Sequence, residues 1–100
     1  MNNNLRQTII EAGGDDDLRE EIGRLWTFLE RQSYFDEKQA TMMLGLYAVA
    51  RVQAAKAIPD SDEMKSSMGL ASRLLDSLGL TPESRTRAIA NRRQREALGK

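Results

Sequence analysis

Five arginines crowd the last sixteen positions of the chain: Arg85, Arg87, Arg92, Arg93 and Arg95. Each guanidinium offers a planar fork of donors, a shape that suits phosphate oxygens. At the helical period Arg85, Arg92 and Arg93 project within about 100° of one another, while Arg87 and Arg95 point elsewhere. The chemistry this suggests is contact with a polyanion. Groups for catalysis are scarce. The chain has no cysteine and no histidine, so thiol nucleophiles, disulfides, the commonest general base and the commonest zinc ligand are all missing. Ser66 and Ser67 adjoin Lys65, but sequence neighbours on a helix do not face each other as a Ser–Lys pair must. Gly13-Gly14 lacks the Gly-Lys-Ser/Thr ending of a phosphate loop. Asp15, Asp16 and Asp17 are consecutive and do not converge on one ion. The expectation is a binding protein, not an enzyme, with no metal and no cofactor.

Charge is unevenly spread. Residues 1–80 hold 9 Lys/Arg and 13 Asp/Glu, net −4; residues 81–100 hold 6 and 2, net +4. A basic tail on an acidic body favours an anionic partner for the tail, and a merely solvated helix end is the other reading. One hundred residues suit one small domain, and a chain this short often gains stability by association. No apolar run approaches the length that spans a bilayer, and Met1-Asn2-Asn3-Asn4 is not a secretory signal.

The elements that must position these groups read as helices throughout. Residues 1–14, opened by asparagines and closed by Gly13-Gly14, read as a weakly ordered arm in which Leu5, Ile9 and Ile10 could form one helical turn against a neighbour. The first firm helix is expected near 17–32, capped by Asp17 with Glu20 three residues on. Its stripe is Leu18, Ile22, Leu25, Trp26 and Leu29, which makes Trp26 a core residue before a base-stacking one. Asp36 and Gln39 open a second helix, expected over 37–58 before Pro59. Between Ala40 and Ala50 its apolar residues point around most of the circumference. Such a helix must be covered on nearly all sides. Either its own chain wraps it, or Met42, Met43, Leu46, Tyr47 and Val49 meet another subunit, or a partner protein covers it. We expect the second, a homo-oligomer. Pro59 to Asp62 form a turn and cap. A third helix is expected over 62–78, with Met64, Met68, Ala71, Leu74, Leu75 and Leu78 on its stripe. Gly79 can end it in the left-handed conformation, Thr81 can cap a following helix, and Pro82 fits that helix's first turn. The fold expected is therefore all-α: three main helices over 15–80 and a basic helical tail over 81–100.

Leu78-Gly79-Leu80-Thr81-Pro82 followed by Arg85 resembles the signature near the C-terminus of a family of phage terminase small subunits. The likeness extends over residues 18–89: a Trp-bearing helix (Leu25 to Glu30), an aromatic turn and acidic cap (Tyr34-Phe35-Asp36-Glu37), and a long alanine-rich helix with Tyr47-Ala48-Val49-Ala50. What the resemblance implies is a non-catalytic DNA-recognition subunit that assembles as a ring. It would mark double-stranded viral DNA in the cytoplasm of an infected bacterium and regulate a large subunit carrying ATPase and nuclease activities. Arg85 sits within the signature and can alternatively hold the turn or pair with Asp76. No separate helix-turn-helix domain is visible, so the expected DNA contacts read charge and shape. The competing reading is a small helical adaptor whose basic tail binds a protein.

Overall fold

In a computed structural model the described residues are 1–80, 89–90 and 93–98, and no strand occurs among them. Residues 1–80 form four helices: α1 (Asn3–Ala12), α2 (Asp16–Glu30), α3 (Glu37–Lys56) and α4 (Asp62–Ser77). Residues 93–98 are also helical. The all-α expectation holds. The tail expected from 82 falls partly outside the described residues. No helix among those described is long and apolar enough to cross a membrane.

Each start is set by a short polar side chain accepting a backbone N–H. Asn2 accepts from Leu5, Asp15 from Leu18, Asp36 from Gln39 and Ser61 from Met64. Two helices end in left-handed glycines, Gly13 (φ 86°) and Gly79 (φ 72°). Both turns carry the paired bonds that satisfy the last carbonyls: Gly13 N–H to Ile10 and Gly14 N–H to Ile9, then Gly79 N–H to Asp76 and Leu80 N–H to Leu75. Helix α3 stops at Lys56, two residues short of the expected end, because Ala57 is already extended (ψ 156°) ahead of Pro59. Helix α2 stops at Glu30, two short, because the N–H groups of Arg31 and Gln32 reach back only three residues, tightening the last turn.

Two expectations need correction. The N-terminal segment is not a weakly ordered arm. It is helix α1, and Leu5 and Ile9 are fully buried. Its cap Asn2 also donates to Thr41 Oγ1 at 2.7 Å and to Glu37 Oε1 at 3.4 Å, fastening its start to α3. The cap of α2 is Asp15, not Asp17. Gly13 turns the chain out of α1, and Asp15, two residues on, takes the extended conformation of a cap (ψ −179°).

Helix α3 is the axis. α1 runs alongside it in the same direction, since Asn2 meets Thr41, Thr8 meets Gly45 and Gly13 faces Lys56. α2 runs against it, with Glu21 at Tyr47 and Leu29 near Ala40. α4 also runs against it: Gln39 shares a cavity with Ser77, and Gln53 shares another with Ser66. The core between them is one cluster, including Leu5, Ile9, Ile22, Trp26, Leu29, Leu44, Tyr47, Leu74 and Leu78. Of the expected stripes, Leu25, Met64 and Leu75 lie half-buried at the edge and Met68 is exposed.

Two glycines separate close packing from open space. A Cβ at Gly14 would sit 2.7 Å from Ile9 Cγ2 and 3.1 Å from Leu18 Cδ2, whereas a Cβ at Gly69 meets nothing within 4 Å. Gly14→Ala is expected to lower stability by about 1–3 kcal/mol through overpacking. Gly69→Ala, within α4, is expected to raise it by about 0.5–1 kcal/mol through helix propensity. Urea denaturation of the two variants should therefore move the midpoint in opposite directions.

Candidate nucleic-acid interface

Of the five arginines expected to meet DNA, Arg85, Arg87 and Arg92 lie outside the described residues. Arg93 and Arg95 are helical and exposed. Arg95 also lines two adjoining cavities with Tyr34, Phe35, Asp36 and Gln39. The tail therefore does not simply stand in solvent: its residues 95 and 96 border the α2–α3 turn.

That turn is built from aromatic contacts. Trp26 and Phe35 meet edge to face, with centroids 5.5 Å apart and planes at 83°, a geometry the ring quadrupoles favour. Tyr34 Oη donates to the carbonyl of Gly79 at 3.1 Å. One side chain thus joins the α2–α3 turn to the left-handed turn ending α4, 45 residues later. The Trp-bearing helix, the aromatic turn and the Leu78-Gly79-Leu80 stop meet in one corner. Leu78 is buried there and Leu80 half-buried.

The five residues expected at a subunit contact divide. Tyr47 is 1% exposed and belongs to the chain's own core, so its assignment to an interface is corrected. Met43 is half-buried against the same core, so it too is used largely within the chain. Met42, Leu46 and Val49 are 60%, 49% and 37% exposed. They follow one another at i, i+4 and i+7 and so share a face. Leu70 of α4, also exposed, falls level with Leu46 in the antiparallel pairing that brings Gln39 to Ser77 and Gln53 to Ser66. From Gln39 to Ala50 α3 carries no charged residue.

A polar cluster lies on the opposite side of α3 and was not foreseen. Tyr47 Oη donates to Glu21 Oε1 at 2.7 Å, and Arg51 Nη1 donates to both Tyr47 Oη (2.7 Å) and Glu21 Oε1 (3.1 Å). The guanidinium also lies over the Tyr47 ring, 5.6 Å from its centre. The Tyr47–Arg51 spacing of four was visible in the sequence; Glu21 was not, because another helix supplies it. The cluster satisfies a buried hydroxyl and locks α2 to α3. It borders a groove of about 370 Å³ that mixes acidic Asp15, Asp17 and Glu21 with basic Arg51 and Lys56. At the start of α2, Arg19 pairs with Asp16 on the surface.

Comparison with protein-family models, with curated proteins and with solved structures finds no match to this chain.

Burial pushes the Tyr47 phenol above its usual value of 10.0, and the Glu21 carboxylate adds to the rise. The folded chain therefore holds this proton more tightly than the unfolded chain. The corresponding stability is complete below pH 10 and is lost as pH rises above it. Tyr47→Phe should lower stability at pH 7 by about 1 kcal/mol, yet lose less than the parent chain between pH 9.5 and 11.5. Thermal melts across that range provide the check.

Proposed function

We propose that this chain is a small terminase subunit: a non-catalytic, DNA-recognising part of a viral packaging machine that forms a homo-oligomeric ring and acts beside a large subunit. In this reading it works in the cytoplasm of an infected bacterium on double-stranded viral DNA. The observation that carries the reading is the corner at Gly79. The segments that resemble the family, far apart in sequence, are tied together there by Trp26–Phe35 packing and the Tyr34–Gly79 bond. A basic stretch follows directly, and its described arginines, Arg93 and Arg95, face solvent.

Two further features support the reading. The net charges of −4 and +4 for residues 1–80 and 81–100 suit a body that stays off DNA and a tail that meets it. The uncovered face of Met42, Leu46, Val49 and Leu70 suits contact with another copy. In a ring, tails repeated around the circle add weak phosphate contacts by multivalency. Such contacts read the backbone, not base sequence. The same uncovered face would also suit the adaptor reading, and salt separates the two. Binding through arginines weakens steeply as salt rises, whereas an apolar protein contact does not.

Changing Arg92, Arg93 and Arg95 together to Gln should weaken binding to unrelated duplexes alike. It should also flatten the plot of log affinity against log salt by roughly 2–3 in slope. Unchanged affinity at low salt would move the DNA surface elsewhere or favour the adaptor. Leu46→Glu should lower the native mass toward that of one chain while leaving helix content intact, as read by light scattering and circular dichroism. A parent chain that is monomeric throughout the micromolar range would remove the ring.

A further inference from the structure

We propose that the corner between the α2–α3 turn and the C-terminal end of α4 is a nucleotide site that accepts one unpaired base. Two adjoining cavities, of about 160 and about 340 Å³, share Tyr34, Phe35, Asp36, Gln39 and Arg95. The inner one has an apolar floor of Leu29, Ala40 and Leu78, all buried. It is smaller than the roughly 300 Å³ or more of a drug-sized pocket and has room for one flat ring system. The outer one holds whatever is attached to that ring.

The walls are fixed before any ligand arrives. Phe35 packs at a right angle to the Trp26 ring, and Tyr34 is held by its bond to the Gly79 carbonyl. Aromatic walls stack on any base, because every base has a π face. The rim then selects among flat ligands. Gln39 offers a side-chain amide that both donates and accepts. The Asp36 carboxylate already accepts the Gln39 N–H at 3.0 Å and has lone pairs to spare for an exocyclic amine. Arg95, in the outer cavity, is the cation for an attached phosphate. A bare anion is disfavoured by the Asp36 carboxylate at the same rim, and an aliphatic ligand leaves the polar edge unused. A nucleotide uses every part. Adenine, cytosine and guanine carry the exocyclic amine; thymine does not, and is the weakest base here.

A paired base is held in the duplex stack, so the base must come from a single-stranded end or gap, or from a free nucleotide. The DNA source rests on the DNA-binding reading above. The free nucleotide does not, and this separates the two in experiment. With the full chain, anisotropy compares a blunt duplex with the same duplex carrying a short cytosine or thymine overhang. Deoxycytidine monophosphate alone is titrated against the fluorescence of Trp26, the chain's single tryptophan. The cytosine overhang should bind about tenfold tighter than the blunt duplex, with thymine between them. Ser77→Phe, from an exposed position lining the inner cavity, should abolish that preference and leave blunt-duplex affinity unchanged. Gln39→Ala, a milder change at an exposed position, should reduce the discrimination between overhangs. Saturable fluorescence change without any duplex binding keeps the site and removes the DNA reading. Equal binding of blunt and overhang duplexes together with no saturation by the free nucleotide overturns the proposal. So does a folded Ser77→Phe chain that keeps the preference.

Discussion

The structure depends on one constraint: α3 is apolar around most of its circumference and has to be covered. Burial of that surface is the main favourable term open to so small a chain. Three helices close on three sides. α2 and α4 bring amphipathic stripes that would be recognisable in isolation. α1 brings only Leu5 and Ile9, and it is the need of α3 for a third cover that makes those two residues core. Gly45 shows how tight the fit is: a Cβ there would sit 3.2 Å from Thr8 Cγ2. The fourth side leaves Met42, Leu46 and Val49 exposed.

Polar groups follow from that geometry. Wherever the wrapped helix carries a hydroxyl inward, a partner has to be supplied, since a buried unpaired group costs about 1–3 kcal/mol. Tyr47 is such a case, and Glu21 and Arg51 close around it. With side chains a third or so exposed, that ion pair contributes little by charge alone. Its value is directional, fixing α2 against α3 in one register. Asn2 does similar work for α1, serving as cap and as tie to Thr41.

The Gly79 corner joins a local stop to a distant turn. A left-handed glycine is needed there for a local reason, to end α4 while satisfying the carbonyls of Leu75 and Asp76. The same turn presents the Gly79 carbonyl to Tyr34, so a local stop signal becomes a long-range joint. Beside that joint lie Phe35, a small cavity and Arg95.

Much was legible in the sequence because it is local. Asp36, Ser61 and Gly79 act on backbone groups within a few residues of themselves, so their types and spacing announce the ends of α3 and α4. The stripes of α2 and α4 repeat at the helical period, and the helical class follows from them. What only the tertiary structure decided concerns choices among locally equal options. Asp15 and Asp17 are both able to cap, and the exit of the chain from α1 at Gly13 selects Asp15. Leu5 and Ile9 are too few to declare a core helix until α3 offers them a surface. Tyr47 and Met42 look alike on an all-apolar helix, and only the placement of the neighbours sends one inside and leaves the other out. Periodicity tells which residues share a face; it does not tell which face is already covered, because covering is a property of the other helices.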